Sequence, residues 1–319
     1  MNLKSIKLNG RHYIDEDSVY FYNGGSGISF KMDGKGFTLS IKSTPIEGYF
    51  YVIVDHNYDK KEKVLTSDKE YKYSFISNGI HYVDIVKANE ANDNVFALNK
   101  LEIDGELLEF DESYNAIVKV FGDSTIAGFG ILEKTGAASI HNSDSVRDFC
   151  YHALYELGMD MDILAASGYG LAFSAYTNPK TIGVFDYADR VAVNQTIIWQ
   201  DRSKTDLLII SLGCNDNSFI KEERNKGDRI AEFNFKLKSL IDLMAKGDSN
   251  LKILMMYGTL NEDSAYYLYE QAFEYLKPFY KNLFIHKFAG DNSAISNHAY
   301  VDAHDRMAEE LKQVIKQIL

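Results

Sequence analysis

Positive charge is in short supply: 34 Lys and Arg stand against 46 Asp and Glu, a net charge of −12. A phosphate backbone or an anionic membrane surface is repelled on average by such a chain, so nucleic acid and membrane are not expected partners. Long apolar runs are missing as well. Nothing approaches the roughly 20 consecutive apolar residues of a membrane span, and the N-terminal Met-Asn-Leu-Lys-Ser-Ile-Lys-Leu-Asn-Gly-Arg has no apolar stretch of signal-peptide length. A complete chain of this kind is expected to be cytoplasmic. Cysteine is nearly absent: Cys150 and Cys214 are the two present, and neither belongs to a paired metal-ligand spacing, so free thiols are expected and no disulfide framework. Internal repeats and low-complexity tracts are lacking too, and 45% hydrophobic with 25% charged residues leaves no case for long disorder.

At 319 residues the chain is long for a single core, since domains commonly hold about 100 to 150 residues. From about residue 20 to 110 apolar residues recur with a period of two, as in Ile28-Phe30-Met32, Phe37-Leu39-Ile41 and Tyr71-Tyr73-Phe75. That alternation predicts strands with one buried face and an antiparallel β-sandwich. Asp33-Gly34, Asn78-Gly79 and Asp104-Gly105 accept the positive φ of tight turns and are expected to separate the strands.

Beyond the acidic stretch Glu109 to Glu112 the period changes. Short apolar runs, Ala116–Phe121, Asp162–Ala166, Asp206–Leu212, Leu251–Tyr257 and Leu283–Phe288, alternate with helical patterns at Ser145–Leu157, Asp228–Ala245, Ser264–Tyr280 and Val301–Leu319. This is the pattern of a parallel α/β sheet. The expected division is a β-sandwich over residues 1–112 and an α/β domain over 113–319, with an open five-stranded sheet carrying helices on both faces.

Ligands of such sheets gather beyond the carboxyl ends of the strands. The first strand leads into Gly122-Asp123-Ser124, the second into Ser167-Gly168-Tyr169-Gly170, the third into Gly213-Cys214-Asn215-Asp216, and the last into a loop with His298. Acyl transfer needs a hydroxyl nucleophile, a base and donors for an oxyanion, and these loops supply each. Ser124 would attack and His298 would take its proton. The backbone N–H groups of Ser124 and Gly168 and the amide of Asn215 would hold the oxyanion. Singly the motifs are cheap: Gly-Asp-Ser alone reads as a turn, and Gly213 to Asp216 as a strand exit and helix cap. Order and placement together point to a hydrolase. Asp123 and Asp216 read as loop organisers rather than chemistry.

The block order Gly-Asp-Ser, Gly, Gly-x-Asn-Asp and a C-terminal His resembles the SGNH (GDSL-type) hydrolases. Gly24-Gly25-Ser26-Gly27-Ile28-Ser29-Phe30, Tyr82 to Lys87, Ala166 to Leu171 and Trp199 are similar to carbohydrate esterase family 2, with its N-terminal jelly-roll domain. The resemblance implies a jelly roll followed by a flavodoxin-like catalytic domain. It also implies a metal-free, cofactor-free serine esterase that removes O-acetyl groups from sugars and xylan-type polysaccharides. The implied partner is a small-molecule or oligosaccharide acetyl ester; the oligomeric state is left open. Two departures stand out. The usual Asp three residues before the His is Ile295 here, leaving either a Ser–His dyad oriented by a backbone carbonyl or Asp291 as a substitute acid. The usual His-Pro-Ser reads His298-Ala299-Tyr300, and His304 is the rival base. Trp199, Tyr169 and Tyr300 are candidates for a sugar platform, with burial in the core as the bland reading. The other histidines, His12, His56, His81, His141, His152 and His286, form no metal-ligand spacing. Two rival functions are kept: an SGNH esterase, lipase or thioesterase acting on a non-carbohydrate acyl ester, and a glycan-binding protein that has lost turnover.

Overall fold

Strict alternation between residues 20 and 110 builds long strands. In the computed structural model, which describes residues 3–15, 18–200, 204–260 and 264–319, these are β1 (Ile6–Asn9), β2 (His12–Asp15), β3 (Ser18–Phe21), β4 (Gly27–Thr44), β5 (Gly48–Val54), β6 (Asn57–Val64), β7 (Lys69–Lys87) and β8 (Val95–Leu108). They form one antiparallel sheet, order β2-β3-β8-β4-β7-β5-β6, with β1 paired to the start of β4. The sheet wraps a core of Ile28, Phe30, Met32, Phe37, Leu39, Ile41, Phe50, Val52, Tyr71 and Phe96 as a β-sandwich. Each such apolar side chain, once fully buried, contributes about 1.5–3 kcal/mol.

The turn expectation fails at Asp33-Gly34 and Asp104-Gly105, which lie inside β4 and β8. Gly34 pairs with Gly79 on one side and Gly105 on the other, and both ladders shift register between Gly34 and Gly36. A Cβ on Gly34 would lie 2.3 Å from the Asp104 carbonyl oxygen, and one on Gly105 2.2 Å from that of Asp33. Glycine is therefore needed for close backbone approach where long strands bend together, not for a hairpin. At Asn78-Gly79 the residues between Ser74 and Gly79 bulge out of the ladder and β7 then continues.

The second half alternates strand and helix. Its elements are β9 (Ile117–Gly122), α1 (Phe149–Glu156), β10 (Asp160–Ala165), β11 (Leu207–Ser211), α2 (Cys214–Glu222), α3 (Lys226–Ala245), β12 (Lys252–Tyr257), α4 (Ser264–Leu276), β13 (Leu283–Lys287) and α5 (Val301–Ile318). The parallel sheet has the order β10-β9-β11-β12-β13, which is flavodoxin-like. α1 starts later than the periodicity predicts because Asp144 accepts hydrogen bonds from Val146 N and Arg147 N, and Asp148 caps the helix through Cys150 N and Tyr151 N. α5 buries Ala303, His304, Met307, Ala308, Leu311, Ile315 and Ile318, the i, i+3, i+4 spacing of one helix face.

Both faces of the parallel sheet are covered, which explains why every residue of β11 is buried. One face packs under α1 and α5, together with Ile53, Val86 and Ala88 from the sandwich. The opposite face packs under α3 and α4. Polar ties add to this junction: Arg11, 1% exposed, donates to Asp162 and to the carbonyls of Ala188 and Arg190, and Tyr155 donates to Asp84.

Candidate active site

The carboxyl ends of β9, β10 and β11 lie side by side, and the loops leaving them meet there. β9 ends at Gly122. The next residue, Asp123, accepts Thr125 N at 3.0 Å and Thr125 Oγ1 at 2.9 Å on one carboxylate oxygen. Ala127 N then bonds back to Asp123 O and Phe129 N to Ser124 O, giving a helical turn with Ser124 at its start. Burial pushes the Asp123 carboxyl up to about 6. Its bonds are all to its own loop, as an organiser's would be.

Ser124 Oγ lies 2.7 Å from His298 Nε2. The imidazole Nδ1 is 3.2 Å from the carbonyl oxygens of both Ile295 and Ser296. Only a protonated Nδ1 can bond to carbonyls, so Nε2 carries the lone pair and accepts from the serine hydroxyl. Burial lowers the pKa of His298 below its usual value, with the Ser296 and Ile295 carbonyls opposing, and the ring is therefore neutral near pH 7. The loop reaches this geometry through two left-handed residues, Ser296 at φ 54° and Asn297 at φ 60°. It is strapped to the segment after Ser124 by Ile295 N to Glu133 O and Val301 N to Ile131 O. Phe129 packs against the imidazole at 5.0 Å between ring centroids.

Asp291 is not brought to the imidazole. Its Oδ1 accepts Tyr300 N, Ser293 N and Ser293 Oγ, and Oδ2 lies 3.5 Å from Arg306. Burial works against ionisation there, but those bonds and Arg306 hold the carboxyl below the usual range. Among the described residues no carboxylate bonds to His298, and the partners of Nδ1 are carbonyls. His304, the rival base, is buried in α5, where its Nδ1 accepts Phe149 N at 3.1 Å. Burial drives its pKa down to about 3, so it stays a neutral acceptor at the start of α1.

The loop after β10 leaves the same sheet edge as Ser124 and is joined to β9 by Ala166 N donating to Gly122 O. Gly168 has φ +82°, a conformation that L side chains rarely adopt. Among the described residues, neither Ser124 N nor Gly168 N donates to a protein acceptor. Asn215, in the first turn of α2, places Nδ2 3.0 Å from Tyr169 O and has a second amide hydrogen to spare. Asp216 accepts Leu171 N, Ala172 N and Phe173 N at 2.7 to 2.9 Å and so shapes that loop. Burial raises its carboxyl to about 6, with those N–H groups opposing.

The aromatic candidates fare differently. Trp199 is remote from this edge: it packs edge-on against His12 at 4.9 Å, with Nε1 3.3 Å from Asp162. It shares a hollow with Ile117 and Asp160, which open β9 and β10, at the opposite end of the sheet. Tyr169 is 5% exposed and bonds to Asn194, so its ring belongs to the core. Tyr300 is half-buried with Lys134 over its ring. Tyr176 was not foreseen. It is 87% exposed, and its Cβ lies 3.5 Å from the position a Cβ on Gly168 would take. Among the described residues, no group of three His, Cys, Asp or Glu is placed to hold a metal ion, and neither Cys150 nor Cys214 forms a disulfide.

Residues 8–110 match the family described as Carbohydrate esterase 2 N-terminal. Solved structures extend the likeness over the rest. A family two carbohydrate esterase from Cellvibrio japonicus superposes with a TM-score of 0.86 at 20% identity, covering 99% of this chain and 95% of that one. The chain has the fold of the family two carbohydrate esterases. A family two esterase from Clostridium thermocellum, solved in complex with cellohexaose, gives 0.85 at 20% identity over 98% of both chains. The acetyl xylan esterase Est2A from the rumen bacterium Butyrivibrio proteoclasticus gives 0.86 at 14% identity over 99% of this chain and 96% of that one. No curated protein matches in sequence.

Proposed function

We propose that this chain is a serine esterase that removes O-acetyl groups from carbohydrates through an acyl-Ser124 intermediate. The observation that carries the reading is the 2.7 Å contact from Ser124 Oγ to His298 Nε2, with Nδ1 turned to two carbonyls. That is a nucleophile and base already in register, and it favours turnover over a binding protein that has lost it. In the reaction Ser124 Oγ attacks the acetyl carbonyl while Nε2 takes its proton. The oxyanion is held by Ser124 N, Gly168 N and Asn215 Nδ2, donors that need no rearrangement at that moment. His298 then returns the proton to the departing sugar oxygen, breaking the ester. A water, deprotonated by the same nitrogen, releases acetate and restores Ser124. The imidazolium formed midway is stabilised by the Ile295 and Ser296 carbonyls, the part a carboxylate plays in a triad.

Support for a sugar comes from the match of residues 8–110 to the carbohydrate esterase 2 N-terminal family and from Tyr176, whose exposed ring beside Gly168 offers a face to pyranose C–H groups. The test is acetate release from acetylated xylo-oligosaccharides, alongside a p-nitrophenyl ester series of rising acyl length, in wild type and Ser124→Ala. The reading expects a steep preference for acetyl and loss of activity in the variant. Equal activity in both proteins ends the assignment, and rates that climb with chain length move it to a lipase-like substrate.

A further inference from the structure

The donor assigned to Gly168 is an N–H on the peptide that follows Ser167, and both backbone polar groups of Ser167 are held by the sandwich. Ser167 N donates to Glu90 Oε2 at 2.7 Å. Asn92 Nδ2 lies 3.3 Å from that same carboxylate oxygen and 3.3 Å from Ser167 O. A trans peptide is planar, with its C=O and N–H pointing in opposite directions. Fixing Ser167 O therefore fixes the direction of Gly168 N–H. Resting on the esterase reading above, we propose that Glu90, acting with Asn92, is a positioning residue of the oxyanion hole, contributed by the sandwich to the reaction carried out on the parallel sheet.

The hold is rigid at its base. Glu90 is 5% exposed. Its segment leaves β7 at Lys87, whose buried ammonium donates to the carbonyls of Asn89 and Glu90. Asn89 is tied in turn, accepting Tyr49 N and donating to Ile140 O. Burial, with Asp93 adding to it, pushes the Glu90 carboxyl up to about 7, while the bonds from Ser167 and the charge of Lys87 oppose the rise. A carboxyl raised in the folded state adds stability at low pH that is lost as pH climbs through its folded value. Above that value the ionised Glu90 costs stability, so Glu90→Gln, which keeps an acceptor oxygen in place, should be at least as heat-stable as wild type at pH 8.

The experiment compares Glu90→Ala, Asn92→Ala and Glu90→Gln for kcat and KM on p-nitrophenyl acetate, with amide hydrogen exchange of the 166–170 segment read in parallel. Loss of a whole oxyanion donor costs about 10²–10³ in kcat, so a donor left in place but loosened should cost Glu90→Ala about tenfold to a hundredfold. KM should move by no more than about twofold, because the bond matters in the transition state. Ser167 exchange should quicken in Glu90→Ala, and Glu90→Gln should restore both protection and rate to within about threefold. Wild-type kcat in both alanine variants overturns the proposal, as does a Gln variant as slow as the Ala variant. Should Glu90→Ala fail to fold, Asn92→Ala carries the comparison. Should the wild type hydrolyse no ester, the esterase reading falls by itself, and the exchange data decide whether Glu90 holds the loop: unchanged protection in Glu90→Ala sinks it, lost protection restored by Gln upholds it.

Discussion

Replacing Asp291 separates a dyad from a triad. In a Ser-His-Asp triad, exchanging the acid for its amide drops kcat by about 10⁴ because the imidazole takes the wrong tautomer. Here the tautomer of His298 is set by the carbonyls of Ile295 and Ser296 at 3.2 Å, and Asp291 bonds instead to Tyr300 N, Ser293 N and Ser293 Oγ. Asp291→Asn retains an acceptor for those groups, so kcat should stay within about threefold of wild type. Asp291→Ala removes three part-exposed bonds near the start of α5, for a net loss of about 1–2 kcal/mol in stability once solvent competition is allowed for. One residue, Ala299, separates Tyr300 from His298, and the loosened loop should lower kcat by less than about tenfold. The assay is initial-rate hydrolysis of p-nitrophenyl acetate for both variants between pH 5 and 9, with thermal denaturation to correct for folded fraction. A fall of about 10³ or more in Asp291→Asn, with the fold intact, would refute the carbonyl-oriented dyad.

The pKa of His298 is lowered by burial, and only the neutral ring can accept the serine proton; kcat/KM should therefore hold at neutral pH and fall with a midpoint below 6.5, whereas a midpoint above 6.5 would contradict the assigned environment. His304→Ala removes a buried ring and orphans Phe149 N, so unfolding free energy should drop by about 3 kcal/mol while kcat per folded molecule changes only a few-fold. If His304→Ala abolishes turnover in a folded protein, the choice of base is wrong. Asn215→Ala removes the side-chain amide proposed to hold the oxyanion and should cost about 10²–10³ in kcat at a nearly constant KM, measured on the same ester.

Much of this was legible in the sequence because periodicity reports burial. Alternation at Ile28-Phe30-Met32 and Phe37-Leu39-Ile41 marks the inner face of the sandwich, and the five apolar runs after Glu112 are the five parallel strands to within two residues at either end. The strand-end loops could be paired with roles because parallel topology puts every carboxyl end on one edge. Turn dipeptides misled because Gly34 and Gly105 serve close backbone approach inside paired strands, which looks the same in sequence as a hairpin. Trp199 misled for a reason topology could have supplied: it lies eight positions before Leu207, the start of β11, on the segment that leads into the amino end of that strand, away from the candidate loops at the carboxyl ends. His298 and His304 could not be separated without geometry, since only the fold shows one ring meeting Ser124 and the other accepting from Phe149. Glu90, Asn92 and Tyr176 left no motif, because the first two meet Ser167 across 77 and 75 residues of chain and Tyr176 stands out by its exposure alone.

The central claim is that Ser124 becomes acylated. Rapid mixing with p-nitrophenyl acetate, acid quench and peptide mass analysis tests it most directly. A burst of nitrophenol matched to one acetyl group on the peptide holding Ser124, both absent in Ser124→Ala, is the predicted result. Acetyl found on another residue, or ester hydrolysis undiminished in Ser124→Ala, would contradict it.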